Sequence, residues 1–77
     1  MIENAIKLFQ KHNKDYQIDS IYESNLLPQK TVGILAHHKD FYVWKKLFIC
    51  FPDGQISGVE GPIANAYLIS KKTRKVK

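Results

Sequence analysis

The sequence predicts a small α+β domain, in which an N-terminal helix, a four-stranded antiparallel sheet and a C-terminal helix follow in the order α-β-β-β-β-α. Three observations predict this fold. Apolar residues recur at helical spacing near the start, alternate with period two across the centre, and resume helical spacing after Pro62. With 77 residues, 44% of them apolar and 25% charged, the chain has the composition of one globular domain rather than of a disordered segment.

The first helix is predicted over residues 2–12. Its apolar residues, from Ile2 to Phe9, recur every three or four positions and leave the polar residues on the opposite side. Basic residues at the end of this stretch suit the negative end of the helix dipole. Asn13 can adopt the conformation that ends a helix, so we expect the helix to stop there.

Strands are predicted over residues 16–23, 31–37, 41–51 and 55–59. The loop between the first two contains Pro28, which cannot occupy a central ladder position. Leu26 and Leu27 in this loop are expected either to fold back on the core or to stay exposed for a partner. Residues 52–54, Pro-Asp-Gly, predict a hairpin turn before the fourth strand.

The third strand, "FYVWKKLFICF", carries the strongest strand signal in the chain. Both alternating sets of residues are apolar, which predicts a strand covered at least partly on both faces. Lys45 and Lys46 interrupt both faces together, so a bulge or an exposed middle is expected there.

The C-terminal helix is predicted from Pro62, which suits the first turn of a helix, to about residue 70. A competing interpretation makes residues 66–70 a fifth strand, and Asn65 and Ala66, poor strand residues, count against it. Residues 1–70 are thus expected to form one compact domain and residues 71–77 a basic tail. The last five residues, 73–77, are expected to fray.

The positive charge is concentrated in this tail. The chain has 12 Lys and Arg against 7 Asp and Glu, and residues 1–70 hold seven of each sign. The five tail cations are Lys71, Lys72, Arg74, Lys75 and Lys77. Such a cluster could release counterions from nucleic acid, or it could serve only solubility. Because Arg74 is the one arginine, we expect phosphate contacts and low sequence specificity rather than bidentate reading of bases.

Aromatic residues form the second candidate feature. Tyr42, Trp44 and Phe48, with Lys46 between them, share one side of the third strand. Two helices on such a sheet commonly cover one face and leave the other available. This side could therefore stack unpaired bases, form a protein interface, or be covered by a helix.

The pattern of reactive residues does not favour an enzyme, and no catalytic residue, metal site or cofactor is expected. Cys50 lies in an apolar strand, where a buried structural thiol is expected rather than a nucleophile. His37 and His38 are adjacent on a strand and point to opposite faces, so they are poorly placed to share one metal ion. The single cysteine and the absence of an export signal or a long apolar run indicate a cytoplasmic protein with no membrane partner.

The resulting hypothesis is a small non-enzymatic nucleic-acid-binding protein. Its expected contacts are the five tail cations together with Lys46, Trp44 and Tyr42. The alternative is a protein-binding module, such as an inhibitor or accessory protein from a phage or mobile element, that contacts a larger protein. Its expected interface residues are Leu26, Leu27, Tyr42, Trp44 and Phe48. A homodimer is also considered, because a core this small often gains stability from association.

Overall fold

The computed structural model describes all 77 residues and contains two helices and five strands. The helices are α1 (Ile2–His12) and α2 (Gly61–Ile69). The strands are β1 (Tyr16–Ser24), β2 (Thr31–His38), β3 (Phe41–Cys50), β4 (Ile56–Val59) and β5 (Thr73–Lys75). The strands form one antiparallel sheet in the order β4-β3-β2-β1-β5. The predicted α+β fold is confirmed, with one strand more than expected.

Helix α1 begins and ends at the predicted residues. Its end is fixed by Asn13, whose backbone N–H and side-chain amide both donate to the carbonyl oxygen of Phe9, at 2.8 and 3.1 Å. Residues 61–69 form a helix, so the competing interpretation of residues 66–70 as a strand is wrong. No helix combines the length and the apolar character required to cross a membrane.

The two helices lie on opposite faces of the sheet. Helix α1 covers a cluster that includes Phe9, Ile34 and Phe48, whereas Tyr67 of α2 packs against Leu47 and Ile49 on the other face. The expectation that both helices cover one face is therefore wrong. Residues 47–50 are apolar on both sides, and each side needs a covering layer to remove it from water.

Tyr67 holds α2 close to the centre of the sheet. Its ring lies directly over Gly33, where an added Cβ would come within 2.5 Å of the ring. Its hydroxyl group forms a buried hydrogen bond with the hydroxyl of Thr31, at 2.9 Å. Burial raises the pKa of Tyr67, and the hydrogen bond with Thr31 acts in the opposite direction. A glycine in β2 thus sets how closely the helix can approach.

The basic tail is ordered as an edge strand. β5 pairs antiparallel with residues 22–24 of β1, and main-chain bonds join Ile21 to Val76 and Lys77 at 2.7–3.2 Å. The hydroxyl groups of Ser24 and Thr73 are 2.6 Å apart. The prediction that residues 73–77 fray is therefore wrong. The sheet edge beside β1 offers unpaired backbone groups, and Glu23 there supplies an acidic partner for the tail.

Candidate functional site

Strand β3 changes from exposed to buried along its length. Residues 41–45 are exposed, including Tyr42 (71%) and Trp44 (69%), whereas residues 47–50 are buried. β4 pairs only with residues 47–50, so residues 41–46 project beyond it and keep one edge free. We call residues 41–46 the β3 tip. An exposed cluster of apolar and aromatic residues at such a position is typical of a binding surface.

A break in strand register produces the β3 tip. Lys45 lies opposite His37, but the next partner pair joins Phe41 to His38, so residues 42–44 have no counterpart on β2. The irregularity predicted at Lys45 and Lys46 thus falls just before them. Bulged residues leave the regular pleat, which is why Tyr42 and Trp44 can project into solvent here.

Phe48 does not belong to the exposed surface. It is 6% exposed and lies beneath α1, with its ring edge-on to Phe9 at a centroid distance of 4.8 Å. Of the three alternatives for this side of β3, cover by a helix therefore applies to Phe48, which cannot serve as an exposed interface residue together with Tyr42 and Trp44. Phe48 and Trp44 differ because α1 covers the face at the buried end of β3 and does not extend over the tip.

Aromatic rings connect the β3 tip to the core. Trp44 stacks on Phe41 at 5.1 Å between centroids and an interplanar angle of 16°. Phe41 contacts His38 at 5.6 Å, and His38 contacts Tyr16 edge-on at 5.4 Å. Tyr16 in turn meets Phe48 at 5.2 Å. The support beneath Trp44 is therefore a chain of packed rings, which orients its outer face without burying it.

These rings border an open groove, which we call the aromatic groove. It has a volume of about 740 Å³. Its lining residues are Tyr16, His38, Phe41, Val43, Trp44, Lys45, Lys46 and Glu60. Sequence reasoning identified Trp44 and Lys46 but missed Tyr16, His38 and Phe41. The short turn between β2 and β3, which brings His38 opposite Phe41, was the available signal.

Unpaired cations flank the aromatic groove. Lys45 and Lys46 form no ion pair, and Glu60 is the only carboxylate among the lining residues. The Nζ atom of Lys46 lies 5.6 Å from the ring centroid of Phe48. Lys39, by contrast, is paired with Asp15 at 3.4 Å.

A second groove, with a volume of about 400 Å³, shares Lys46 with the first. Its lining residues are His12, Asn13, Lys46, Phe48, Gly54, Ile56 and Gly58. The end of α1 therefore borders it, and Lys11 and Lys14 flank this helix end in the sequence. Lys46 therefore lies between an aromatic cluster on one side and the basic end of α1 on the other.

The tail cations lie elsewhere on the molecule. β5 and β3 are separated by β1 and β2, which is three strand spacings or about 14 Å. Arg74 donates to a carboxylate oxygen of Glu23 at 2.6 Å, and Lys30 lies 3.7 Å from the same carboxylate. The ion pairs do not include the remaining tail cations, which are Lys71, Lys72, Lys75 and Lys77. The fold thus separates the tail from Tyr42, Trp44 and Lys46.

Leu26 and Leu27 occupy a third region, on the face covered by α2. Leu27 packs partly against the cluster around Tyr67, whereas Leu26 is exposed. Both line an apolar groove of about 310 Å³ beside Ile63 and Ala66. The alternative set of interface residues is therefore divided between this groove and the β3 tip.

The potentially reactive side chains of Cys50 and His37 are held by contacts within the fold. Cys50 is buried, as expected, and burial raises the pKa of its thiol from 9.0 to about 11. The Nδ1 atom of His37 lies 2.9 Å from a carboxylate oxygen of Asp19. The structure contains no group of three or more His, Cys, Asp and Glu residues able to hold a metal ion.

Comparisons of the chain with protein-family models, with curated proteins and with solved structures found no match. The candidate site therefore stands on its own geometry.

Proposed function

We propose that the protein is a non-enzymatic, single-stranded nucleic-acid-binding protein that uses the aromatic groove. The observation that carries the proposal is Trp44, which is exposed, supported from below by Phe41, and flanked by the unpaired Lys45 and Lys46. A base can stack on an exposed aromatic ring whatever its identity, and lysines beside the ring can contact the backbone phosphates. Unpaired bases are required, because those in a duplex are already stacked.

Low sequence specificity follows from the same residues. Bidentate recognition of guanine uses arginine above all, and Arg74, the single arginine, already pairs with Glu23. The groove offers stacking and phosphate contacts, which every sequence can satisfy. Lys71, Lys72, Lys75 and Lys77 then supply a second basic region for a strand long enough to reach it, three strands away from β3 and level with its buried end rather than with its tip. Cytoplasmic localisation remains part of the proposal and is consistent with the free, buried Cys50.

The experiment is a titration of short labelled single-stranded DNA and RNA homopolymers and of matched duplexes, at about 50 mM and about 200 mM salt. Trp44→Ala is expected to weaken single-strand binding by about 1–3 kcal/mol, or about 5- to 150-fold, because one stacking contact is lost. Its thermal stability should change little, since the side chain is mostly exposed.

Two matched lysine variants distinguish the effect of a local contact on binding from the effect of the total charge of the protein. Lys46→Gln should weaken binding and reduce the salt slope by about 0.7, the value for one phosphate contact on a single strand. Lys30→Gln removes the same charge near Glu23, away from the groove, and should leave binding nearly unchanged. Equal effects of the two variants would show non-specific attraction instead of a site. No binding of any nucleic acid at the lower salt would reject the proposal.

A protein-binding module remains the second candidate, and the free edge of the β3 tip favours it. Residues 41–46 have no β4 partner, so a strand of a larger protein could pair there and contact Tyr42 and Trp44. Such an apolar interface would respond weakly to salt, whereas phosphate binding would weaken steeply as salt rises.

A further inference from the structure

Helix α2 is apolar on both sides. Ala64 and Tyr67 are buried against the sheet, yet Ile63 and Ile69 on the helix are 65% and 80% exposed. No residue between Gly61 and Ser70 is charged. Asn65 is the one exposed polar side chain in the helix. A helix with apolar residues on both sides is normally covered on both, so the outer side of α2 lacks a covering layer in the single chain.

The outer side of α2 combines a projection with a recess. Ile69 protrudes at one end of the helix, and the apolar groove of about 310 Å³, which includes Leu26, Ile63 and Ala66, lies towards the other. Ile63 and Ile69 are each three residues, or about 4.5 Å along the helix axis, from Ala66. Two copies of α2 crossing antiparallel at Ala66 would therefore place Ile69 of each over Ile63 of the other.

The charges at the ends of α2 favour the same arrangement. Glu60 precedes the helix, and Lys71 and Lys72 follow it. Glu60 and Lys72 are both six residues from Ala66, on opposite sides. An antiparallel pair therefore brings Glu60 of each copy close to the lysines of the other, whereas a parallel pair would bring like charges together.

We propose that the protein forms a two-fold homodimer through the outer side of α2, with Ala66 near the axis, Ile69 packed on Ile63 of the second copy, and Glu60 facing Lys71 and Lys72 of the second copy. Charge complementarity identifies a second copy of this chain as the occupant, because the acidic and basic ends of one uncharged helix match those of its own reversed copy.

Dimerisation also has a consequence for the nucleic-acid site. Glu60 lines the aromatic groove. Lys71 and Lys72 of the second copy, which face Glu60 in the dimer, would therefore lie at the rim of that groove. Each dimer would then join the aromatic contacts of one copy to basic contacts of the other. This consequence rests on the proposed function, whereas the dimer itself does not.

Sedimentation velocity of the full chain, without nucleic acid, tests the dimer over concentrations up to about 1 mM, where even weak association is visible. A monomer–dimer equilibrium is expected. Ile69→Lys should weaken it about a hundredfold, because each dimer loses two buried isoleucines. Tyr42→Lys is the matched control, since Tyr42 is an exposed residue of the β3 tip that does not line the groove shared with Glu60, and the change should leave the dimer intact.

Charge reversal tests the antiparallel arrangement with substitutions at exposed positions. Glu60→Lys and Lys72→Glu should each weaken the dimer about tenfold, since each change puts two pairs of like charges together, and the double variant should restore it. A chain that stays monomeric throughout would overturn the proposal. So would a dimer that resists Ile69→Lys, one that Tyr42→Lys disrupts, or a double variant no tighter than the single ones. None of these outcomes bears on nucleic-acid binding, which the Trp44 variant tests separately.

Discussion

Replacing Gly33 with alanine is expected to destabilise the protein, although the same change in most strands is neutral or favourable. The added Cβ would lie 2.5 Å from Cε1 and 3.0 Å from the hydroxyl oxygen of Tyr67, where ordinary contacts begin at 3.4 Å. The ring would have to move by about an ångström. The Tyr67 side chain is 2% exposed and bonded to Thr31 at 2.9 Å, so moving the ring would disturb both its close packing and this hydrogen bond.

The magnitude follows from three terms. Overpacking of a filled core costs about 1–3 kcal/mol. Weakening the buried hydrogen bond between Tyr67 and Thr31 adds about 1 kcal/mol. Alanine is less flexible than glycine in the unfolded chain, which stabilises the folded variant by about 0.4–1 kcal/mol. The free energy of unfolding should therefore fall by about 1–3 kcal/mol for Gly33→Ala.

Urea unfolding of four variants measures this effect: Gly33→Ala, Gly58→Ala, Tyr67→Leu and the double variant of Gly33→Ala with Tyr67→Leu. Gly58→Ala is the matched control in β4, because its Cβ would meet the Cε atom of the flexible Lys46 side chain, at 2.6 Å, which can swing away. Its stability should change by less than about 0.5 kcal/mol. In a Tyr67→Leu background, Gly33→Ala should no longer destabilise, because the aromatic ring is gone. An equal cost with and without the tyrosine ring would refute the steric explanation.

Three further predictions concern the tail and the buried thiol. A chain truncated after Ser70 should lose at least about 1 kcal/mol of unfolding free energy in thermal or urea unfolding, because it loses the pairing of β5 with residues 22–24 and the main-chain bonds of Ile21 with Val76 and Lys77. Neutralising Lys71, Lys72, Lys75 and Lys77 with glutamine should leave that stability nearly unchanged, and equal loss in both variants would contradict a role for the strand pairing. Cys50 should react slowly with thiol reagents at neutral pH, and an unfolded chain should react quickly. Because burial raises the pKa of Cys50 in the folded state, its contribution to stability is fully present below about pH 9 and is lost as the pH rises towards about 11. A Cys50→Val variant should lose less stability over that range, and an equal loss in both proteins would exclude this contribution.

The fold could be predicted largely from local patterns. Helical spacing between Ile2 and Phe9 and the cap at Asn13 set α1, and alternating apolar residues set the first four strands. These predictions agree with the structure because each depends on residues within a few positions of one another in the chain. The burial of Cys50 was predictable for the same reason, since its neighbours in β3 are apolar.

The candidate site was only partly predictable. Trp44 and Phe48 are both aromatic, four residues apart and on one predicted side of a strand, yet one is exposed and the other lies beneath α1. Their difference depends on the register break at residues 42–44 and on where β4 ends, which are pairings between distant segments. Nothing in the local pattern of β3 encodes those pairings.

Local sequence patterns were enough to predict the α+β class, the positions of both helices and the concentration of charge near the C-terminus. Three features depend instead on contacts between distant segments: the helices cover opposite faces, the basic tail becomes β5, and the tail cations lie apart from Trp44. The two groups of features differ because the interactions behind them act over different distances along the chain. Helix and strand signals come from neighbours in the chain, whereas the edge beside β1, with Glu23 ready to pair with Arg74, exists only once the sheet has formed.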